Sequence, residues 1–321
     1  MTPRAWLILA VGVFIGAAVL LPFMGPSALD LHAVARRQEP DWSIFLQLRV
    51  SRTLLGLFVG AALSLGGALF QAMLRDALAT PYTLGVSAGA SLGAVMAIAA
   101  GWNAFGSVPP TWIGALAGGV LALGLVIGVT TTREGLAPYR LLLAGIATNS
   151  VCSAVILVVY SVSGLSSSFA ITRWLIGSLD ATPFPPLLVF VAFTILVGIV
   201  IVREGRGWTL LSIGETWAAT RGVDVPRLTA VGYLAGSSLT AVTVAVAGPI
   251  GFIGLMVPHL VRVRVSTDAR VLMPCAFLFG GALLAACDAV GRTIVAPAEV
   301  PAGAITACIG GPYLVWLVRR R

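Results

Sequence analysis

The chain has 321 residues, of which 58% are hydrophobic and 10% charged, with a formal net charge of +8 and a mean hydropathy of +1.00. A soluble domain of this size could not bury so much apolar surface, whereas a bilayer removes that requirement, so the composition predicts a multi-span membrane protein. All twenty basic residues are arginine, which excludes a Walker A phosphate-binding loop, because that loop needs a lysine. The arginines also do not form the patch interleaved with aromatic residues that is typical of nucleic-acid binding.

A membrane-spanning helix needs about 20 mostly apolar residues. Ten candidate spans follow one another along the chain: 5–24, 54–74, 83–101, 111–132, 139–162, 184–202, 228–247, 249–263, 271–290 and 303–318. The first is predicted to be a retained helix and not a cleaved signal peptide, because its apolar run is long and no A-x-A site follows. The eighth is short and bounded by Gly248-Pro249 and Pro258, which predicts a kinked or tilted helix. The fold class is therefore an all-α membrane protein with a single domain over 1–321.

The arginines predict the orientation of these spans. With the N-terminus inside, fourteen arginines fall on the cytoplasmic side, Arg133, Arg320 and Arg321 among them, and six fall outside. The acids divide evenly, so the inner side carries a net charge of +8 and the outer side carries none. Because cytoplasmic loops are enriched in arginine, both termini are expected in the cytoplasm.

Small residues are spaced for close helix contact, and the ligand-type residues are scattered. Gly85, Gly89 and Gly93 recur every four residues, and Gly60 precedes a Gly66-Gly67 pair, which lets helix backbones approach. The four cysteines lie inside apolar runs and are interpreted as packing residues: Cys152, Cys275, Cys287 and Cys308. The two histidines, His32 and His259, have no neighbourhood rich in metal ligands, so no metal site is expected.

The polar stretch LLSIGETWAATRGVDVPR, residues 210–227, separates the sixth and seventh spans. Ser212 and Glu215 match the S-x-x-E capping box, which predicts a helix that begins at Ser212. Gly222 is placed for a left-handed turn at the end of that helix, with Arg221 near its last carbonyls.

Asp224 and Pro226 are expected to cap and begin the next span. The segment is thus predicted to form a cytoplasmic helix of about two turns. It is either an ordinary amphipathic connector or a docking helix, since so short a helix is marginal in water unless it packs against something.

On the outer side, Arg49 and Arg52 lie three residues apart at the mouth of the second span, on one helix face. Asp288 and Arg292 are spaced i, i+4 near the outer end of the ninth span, which is typical of a structural ion pair. The arginines are either snorkelling interfacial residues or a basic rim for an acidic partner.

The predicted membrane interior carries few groups for chemistry. Asn149, Ser153 and Tyr160 share one face of the fifth span, with Thr148 and Ser150 beside them. These side chains either form hydrogen bonds that pack the helices together or line a passage. No midplane carboxylate is visible, which disfavours an ion-coupled secondary transporter. No nucleophile–base pair or carboxylate dyad is visible either, which disfavours an intramembrane enzyme.

Five motifs together resemble the FecCD-type permeases, the membrane subunits of type II ABC importers for iron–siderophore complexes, haem and cobalamin. They run in order over essentially the whole chain: LRVSRTLLGLFVGAALSLGGALFQAMLRDALATPYTLGVSAGASLG (48–93), LLLAGIATNSVCSA (141–154), WLIGSLD (174–180), GPIGFIGLMVPHLVR (248–262) and AEVPAGAITACIGGPYLVWLV (298–318).

The resemblance implies ten spans, cytoplasmic termini and roles for specific residues. The segment 210–227 corresponds to the family's coupling helices, which implies an ATPase contact through Ser212, Gly214, Glu215, Thr216, Arg221 and Gly222. It implies that Arg49, Arg52 and Arg292 meet acidic residues of a periplasmic binding protein, and that 164–180 forms a short outer helix. The family's inner gate lies near the starts of the third and fifth spans, so the predicted translocation pathway comprises Ser87, Ser91, Asn149, Ser153 and Tyr160.

The implied assembly contains a second permease subunit (homodimer or related heterodimer), two ABC ATPase subunits and a periplasmic substrate-binding protein, in the lipid of the bacterial inner membrane. The chain itself is expected to bind no cofactor and to catalyse no reaction, since ATP and Mg would be used by the ATPase. A ferric siderophore, including the ferric citrate type, is the expected cargo, with haem and cobalamin as alternatives. An intact chelate needs no metal ligands from the protein, because the chelator already supplies them.

Overall fold

A computed structural model describes residues 2–26, 30–102, 108–132, 135–136, 138–296 and 298–319; Arg133, Arg320 and Arg321 of the predicted inner side lie outside these ranges. Nearly all of the described residues are helical. The helices are α1 (Pro3–Leu20), α2 (Leu31–Ala35), α3 (Asp41–Ser43), α4 (Ser51–Leu74), α5 (Val86–Ala99), α6 (Pro110–Thr130), α7 (Pro138–Val162), α8 (Leu165–Ile176), α9 (Phe184–Arg203), α10 (Gly205–Ile213), α11 (Glu215–Thr220), α12 (Val225–Ala247), α13 (Ile253–Arg264), α14 (Ala269–Thr293) and α15 (Ala302–Arg319).

Four short elements complete the description. A 3₁₀ turn, Leu21–Phe23, follows α1, and a π-helical turn, Ile44–Val50, joins α3 to α4. Two two-residue strands, β1 (Thr131–Thr132) and β2 (Gly135–Leu136), pair antiparallel between α6 and α7.

Each of the ten predicted spans coincides with a helix, which confirms the all-α membrane architecture. Within the described ranges, seven helical stretches are long and apolar enough to cross a bilayer, including the continuous stretch Asp41–Leu74. Two shorter apolar helices, Val86–Ala99 and Ala302–Leu317, supply the third and tenth predicted spans. The eighth is α13, which has 12 residues and contains Pro258, as its short apolar run indicates.

Helix α4 forms the centre of the bundle, and glycine lets its neighbours reach its backbone. Gly60 faces the carbonyl of Gly280 on α14, and Gly67 faces the carbonyl of Gly254 on α13. A Cβ atom at Gly60 or Gly67 would overlap that backbone. The predicted close helix contacts at these positions are therefore confirmed.

Helices α5 and α6 also meet backbone to backbone. Gly89 faces Gly118, and Gly93 faces Gly114, with no room for a side chain at any of the four positions. Gly85 precedes α5 in the left-handed conformation, with φ +87°. The four-residue spacing of glycine thus lets α5 and α6 pack with their backbones in direct contact, and Gly85 provides the turn that precedes α5.

The chain is irregular between α12 and α13. Gly248 and Phe252 both have positive φ, +68° and +69°, so the backbone turns out of one helix and into the next across residues 248–252. The Tyr82 hydroxyl donates to the carbonyl of Ile250 at 2.6 Å, and the Ser178 amide donates to the carbonyl of Ala247 at 3.0 Å. Irregular backbone at membrane depth needs such internal partners, because lipid offers none.

The sulfur and imidazole groups lie apart from one another. All four cysteines are free; Cys152, Cys275 and Cys287 are buried as packing residues, whereas Cys308 is exposed. Over the described ranges, no three His, Cys, Asp or Glu residues come together as a metal site would require.

Candidate functional site

The polar segment 210–227 forms two short helices and not the predicted single one. α10 continues through Ser212 to Ile213, and α11 begins at Glu215, with Gly214 extended between them (φ 164°, ψ 149°). The Ser212 hydroxyl donates to the carbonyl of Thr209 at 2.7 Å, so it does not cap α11. The predicted capping box, and the helix start at Ser212, are wrong.

The reason lies upstream of the motif. Trp208 and Leu211 are fully buried, and the Trp208 indole N–H donates to the carbonyl of Ile201 at 2.8 Å. Residues three apart share a helix face, so burial of this pair extends a helix through Ser212. An S-x-x-E motif marks a helix start only where the residues before it are not already helical.

The end of α11 is as predicted. Gly222 has φ +79°, its amide donates to the carbonyl of Ala219, and the Val223 amide donates to that of Ala218. These two bonds form a Schellman motif, which satisfies the last free carbonyls of the helix. α11 therefore has a fixed C-terminal end.

The start of the next helix also matches the sequence. The Asp224 carboxylate accepts from the Arg227 amide at 3.1 Å and caps α12, with Pro226 in its first turn. Arg221 is the C-cap residue of α11, and its guanidinium lies 4.6 Å from the centre of the Trp217 ring, where it forms a cation–π contact.

Beside α11 lies an exposed surface that combines charge with an aromatic ring. We call it the coupling surface; it surrounds an open cleft of about 640 Å³ lined by Arg75, Gly214, Glu215, Thr216, Trp217 and Thr220. Trp217 is 47% exposed. Arg75, just after α4, donates from Nη2 to the Glu215 carboxylate at 2.8 Å. An exposed Trp and Arg on a helix fixed at its C-terminal end are typical anchors of a protein–protein contact.

At the opposite end of α4 lies a network that we call the outer ion cluster: Arg52, Asp288, Arg292 and Glu299. The Arg52 guanidinium contacts Asp288 at 3.0 Å and Glu299 at 2.8 Å. Arg292 Nε lies 3.0 Å from the other Asp288 oxygen, so the predicted i, i+4 ion pair is confirmed. The Asp288 side chain is 2% exposed, whereas that of Glu299 is 43% exposed.

The three arginines predicted to dock a partner are not an open rim. Arg49 belongs to the π-helical turn and donates to the carbonyl of Phe23 at 3.3 Å. Arg52 contacts Asp288, and the predicted common face of Arg49 and Arg52 stays a prediction. Arg49 and Arg292 are both buried, and Arg292 Nη2 has no hydrogen-bond partner among the described residues. Their docking role stays a prediction, with Arg52 and Glu299 nearest to the surface.

The five predicted pathway residues fall into two groups. Ser87 and Ser91 on α5 are buried. On α7, Ser153 and Tyr160 are exposed, whereas the Asn149 side-chain N–H donates to the carbonyl of Tyr82 at 2.8 Å. The pathway role stays a prediction, and Asn149 also holds α7 against the loop between α4 and α5.

The sequence indicated several of these residues only weakly. Glu299 is separated from Arg52 by 247 residues, and Arg75 from Glu215 by 140, so no local spacing could predict either contact. The one available signal for Arg75 and Glu215 was their shared position on the predicted inner side. α8 confirms that a short helix lies within 164–180, and its placement on the outer side stays a prediction.

Comparison with known proteins identifies similar chains over nearly this whole length. The family model of the FecCD transport family matches residues 5–320. The hemin transport system permease protein HmuU of Yersinia pestis is 37% identical over 307 residues, which cover 93% of this chain and 90% of that protein. The ferric enterobactin transport system permease protein FepD of Escherichia coli (strain K12) is 36% identical, covering 97% and 91% of the two chains.

The vitamin B12 import system permease protein BtuC of Salmonella typhi is 37% identical, covering 85% of this chain and 82% of that one. Among solved structures, an inward-facing metal-chelate type ABC transporter matches with a TM-score of 0.86 and 29% identity, and the match covers 100% of both chains.

Proposed function

Because the chain belongs to the FecCD transport family, the multi-pass membrane permeases of ABC importers, we propose that it is the permease subunit of a transporter that moves an intact iron chelate into the cytoplasm. The preferred cargo is a ferric siderophore, including the ferric citrate type, and haem or cobalamin is the alternative. Relatives named for hemin, ferric enterobactin and vitamin B12 support a large, pre-assembled cargo.

The observation that carries the proposal is the coupling surface. α11 is held by the Schellman motif at one end and by the Arg75–Glu215 contact at the other, and it presents Trp217 and Arg221 together. A six-residue helix is not stable alone in water. Because the bundle holds α11 in a fixed position, the helix can serve as a rigid contact for another protein. The proposed partners on this side are two ABC ATPase subunits, which would bind ATP and Mg.

Transport would proceed by alternating access. A loaded periplasmic binding protein docks over the outer ion cluster, ATP binding brings the two ATPases together, and the coupling surfaces move with them. A second permease subunit, either an identical copy or a related chain, completes the passage beside the exposed face of α7. Ser153 and Tyr160 on that face would meet the cargo through hydrogen bonds.

The test is reconstitution of the permease into proteoliposomes with the ATPase and binding protein of its own cells. Four labelled probes are offered separately: ferric enterobactin, ferric citrate, haemin and cyanocobalamin. We expect ATP-dependent accumulation of one iron chelate, lost when the ATPase carries an inactivating substitution. Uptake driven by a proton or sodium gradient without ATP would overturn the proposal in favour of a secondary transporter, and uptake of cyanocobalamin alone would overturn the iron assignment.

A further inference from the structure

One loop joins the coupling surface to the predicted passage helix, and we propose that this loop, residues 75–85, transmits the movement of α11 to α7. The inference rests on the proposed function, since it presumes that a bound ATPase displaces α11. Arg75 and Tyr82 are the positioning residues at the two ends of the loop, and neither needs to touch cargo or nucleotide.

The first contact is at the coupling surface. α4 ends at Leu74, and Arg75 follows in the left-handed conformation with φ 55°, which is unfavourable for a residue with a side chain. This turn directs Arg75 towards α11, where Nη2 meets the Glu215 carboxylate at 2.8 Å. Glu215 is the first residue of α11, so displacement of that helix pulls directly on the start of the loop.

The loop itself is internally bonded and resists stretching. The Asp76 carboxylate accepts from the Leu78 amide at 2.9 Å. Further along, both the amide and the hydroxyl of Thr83 donate to the carbonyl of Thr80, at 3.1 and 2.8 Å. Two successive turns of this kind shorten the chain and fix its shape, so a pull at Arg75 is carried along the loop.

The second contact is with α7. Asn149 donates from Nδ2 to the carbonyl of Tyr82 at 2.8 Å. One turn earlier on α7, Gly145 lies so close to Thr83 and Leu84 that a Cβ atom there would be 2.6 Å from the Leu84 Cα. α7 therefore follows the backbone of 82–84 without an intervening layer of flexible side chains.

The third contact gives the loop a fixed point. The Tyr82 hydroxyl donates to Ile250 in the irregular stretch between α12 and α13. The loop is thus anchored in the bundle at its far end, and at its near end, just after α4, one exposed ion pair links it to α11. Movement of α11 would turn the loop about Tyr82 and shift the N-terminal half of α7, the half that precedes the exposed residues Ser153 and Tyr160.

The first test uses the purified full-length permease in lipid nanodiscs and measures amide hydrogen exchange. Glu215→Gln should speed exchange in residues 76–85 and 139–150 by about 1.4- to fivefold, the range expected for loss of an exposed ion pair. The control is Asp268→Asn, which removes the charge of another exposed ion pair, Asp268–Arg270, while keeping an Asx cap at the start of α14. Faster exchange confined to α11 would overturn the proposal.

The second test asks whether the contact is coupling or merely structural. In the reconstituted transporter, Arg75→Gln and Glu215→Gln should each lower the cargo imported per ATP hydrolysed, and the double variant should lose no more than either one. The charge exchange, Arg75→Glu with Glu215→Arg, should restore the ratio. Additive losses, or an exchange that fails to rescue a normally assembled complex, would overturn the proposal.

The two tests separate failure of the loop from failure of the function. If the wild-type transporter shows no ATP-dependent uptake of any of the four probes, the proposed function fails. If wild-type uptake follows ATP while Glu215→Gln leaves both exchange and the cargo-to-ATP ratio unchanged, the loop proposal alone fails.

Discussion

Asp288 is the residue whose loss should most damage the outer half of the bundle. Its carboxylate is 2% exposed and lies 3.0 Å from both Arg52 and Arg292. Asp288→Asn keeps the shape and removes the charge, which leaves two largely buried guanidinium groups facing one another. Removing one partner of a buried ion pair costs about 3–5 kcal/mol, whereas an exposed pair contributes about 0.2–1 kcal/mol.

The matched control is Glu299→Gln, which removes the other carboxylate on Arg52 but from a side chain that is 43% exposed. Thermal unfolding of the purified permease in detergent should show a large loss of stability for Asp288→Asn and a small one for Glu299→Gln. Adding Arg292→Gln to Asp288→Asn should recover part of the loss, because one uncompensated charge disappears. Equal shifts for the two single variants would refute the claim that burial sets the cost.

Three further predictions concern the inner side; the first and the third are read by thermal unfolding of the same preparation, and the second by proteolysis. Trp208→Phe removes the indole N–H donated to α9 and should cost about 1 kcal/mol; an unchanged midpoint would show that the bond is dispensable. Gly222→Ala places a side chain at φ +79°, where the surrounding space is open but the backbone conformation is strained. It should cost about 1 kcal/mol of stability and speed proteolysis near α11. The control is Gly124→Ala, in equally open space inside α6, which should be neutral or stabilising. Hydrogen bonds from Arg270 hold the pKa of Asp268 below its ordinary value, so the stability it contributes is complete above about pH 4 and is lost as the pH falls through the lower folded pKa. The Asp268→Asn variant should lose that acid dependence. An unfolding midpoint that falls equally with acid in the wild type and the variant would contradict the assignment.

The sequence was sufficient for the helices because the bilayer imposes a length and a composition on each of them. It also indicated where backbones touch, since glycine at four-residue spacing, as in Gly89 and Gly93, has few other uses in a membrane helix. The helix ends at Gly222 and Asp224 followed from local rules of backbone geometry. The glycine spacing and the two helix ends each depend on residues within about one turn of one another.

Features that depend on tertiary packing were missed or wrong. Ser212 satisfied the local pattern of a helix start, but burial of Trp208 had already set the helix. The pairing of Arg52 with Glu299 and of Arg75 with Glu215 joins distant parts of the chain, so no window of sequence contains both partners.

The glycine contacts between α5 and α6 have a mechanical consequence. Where two backbones touch, no rotamer can change to absorb displacement, and the interface has only one arrangement. The pair should consequently move as a single rigid unit, and any shape change must be taken up outside α5 and α6, where the chain leaves regular helix. Stiffness in one part of the bundle thereby decides which other parts are free to bend.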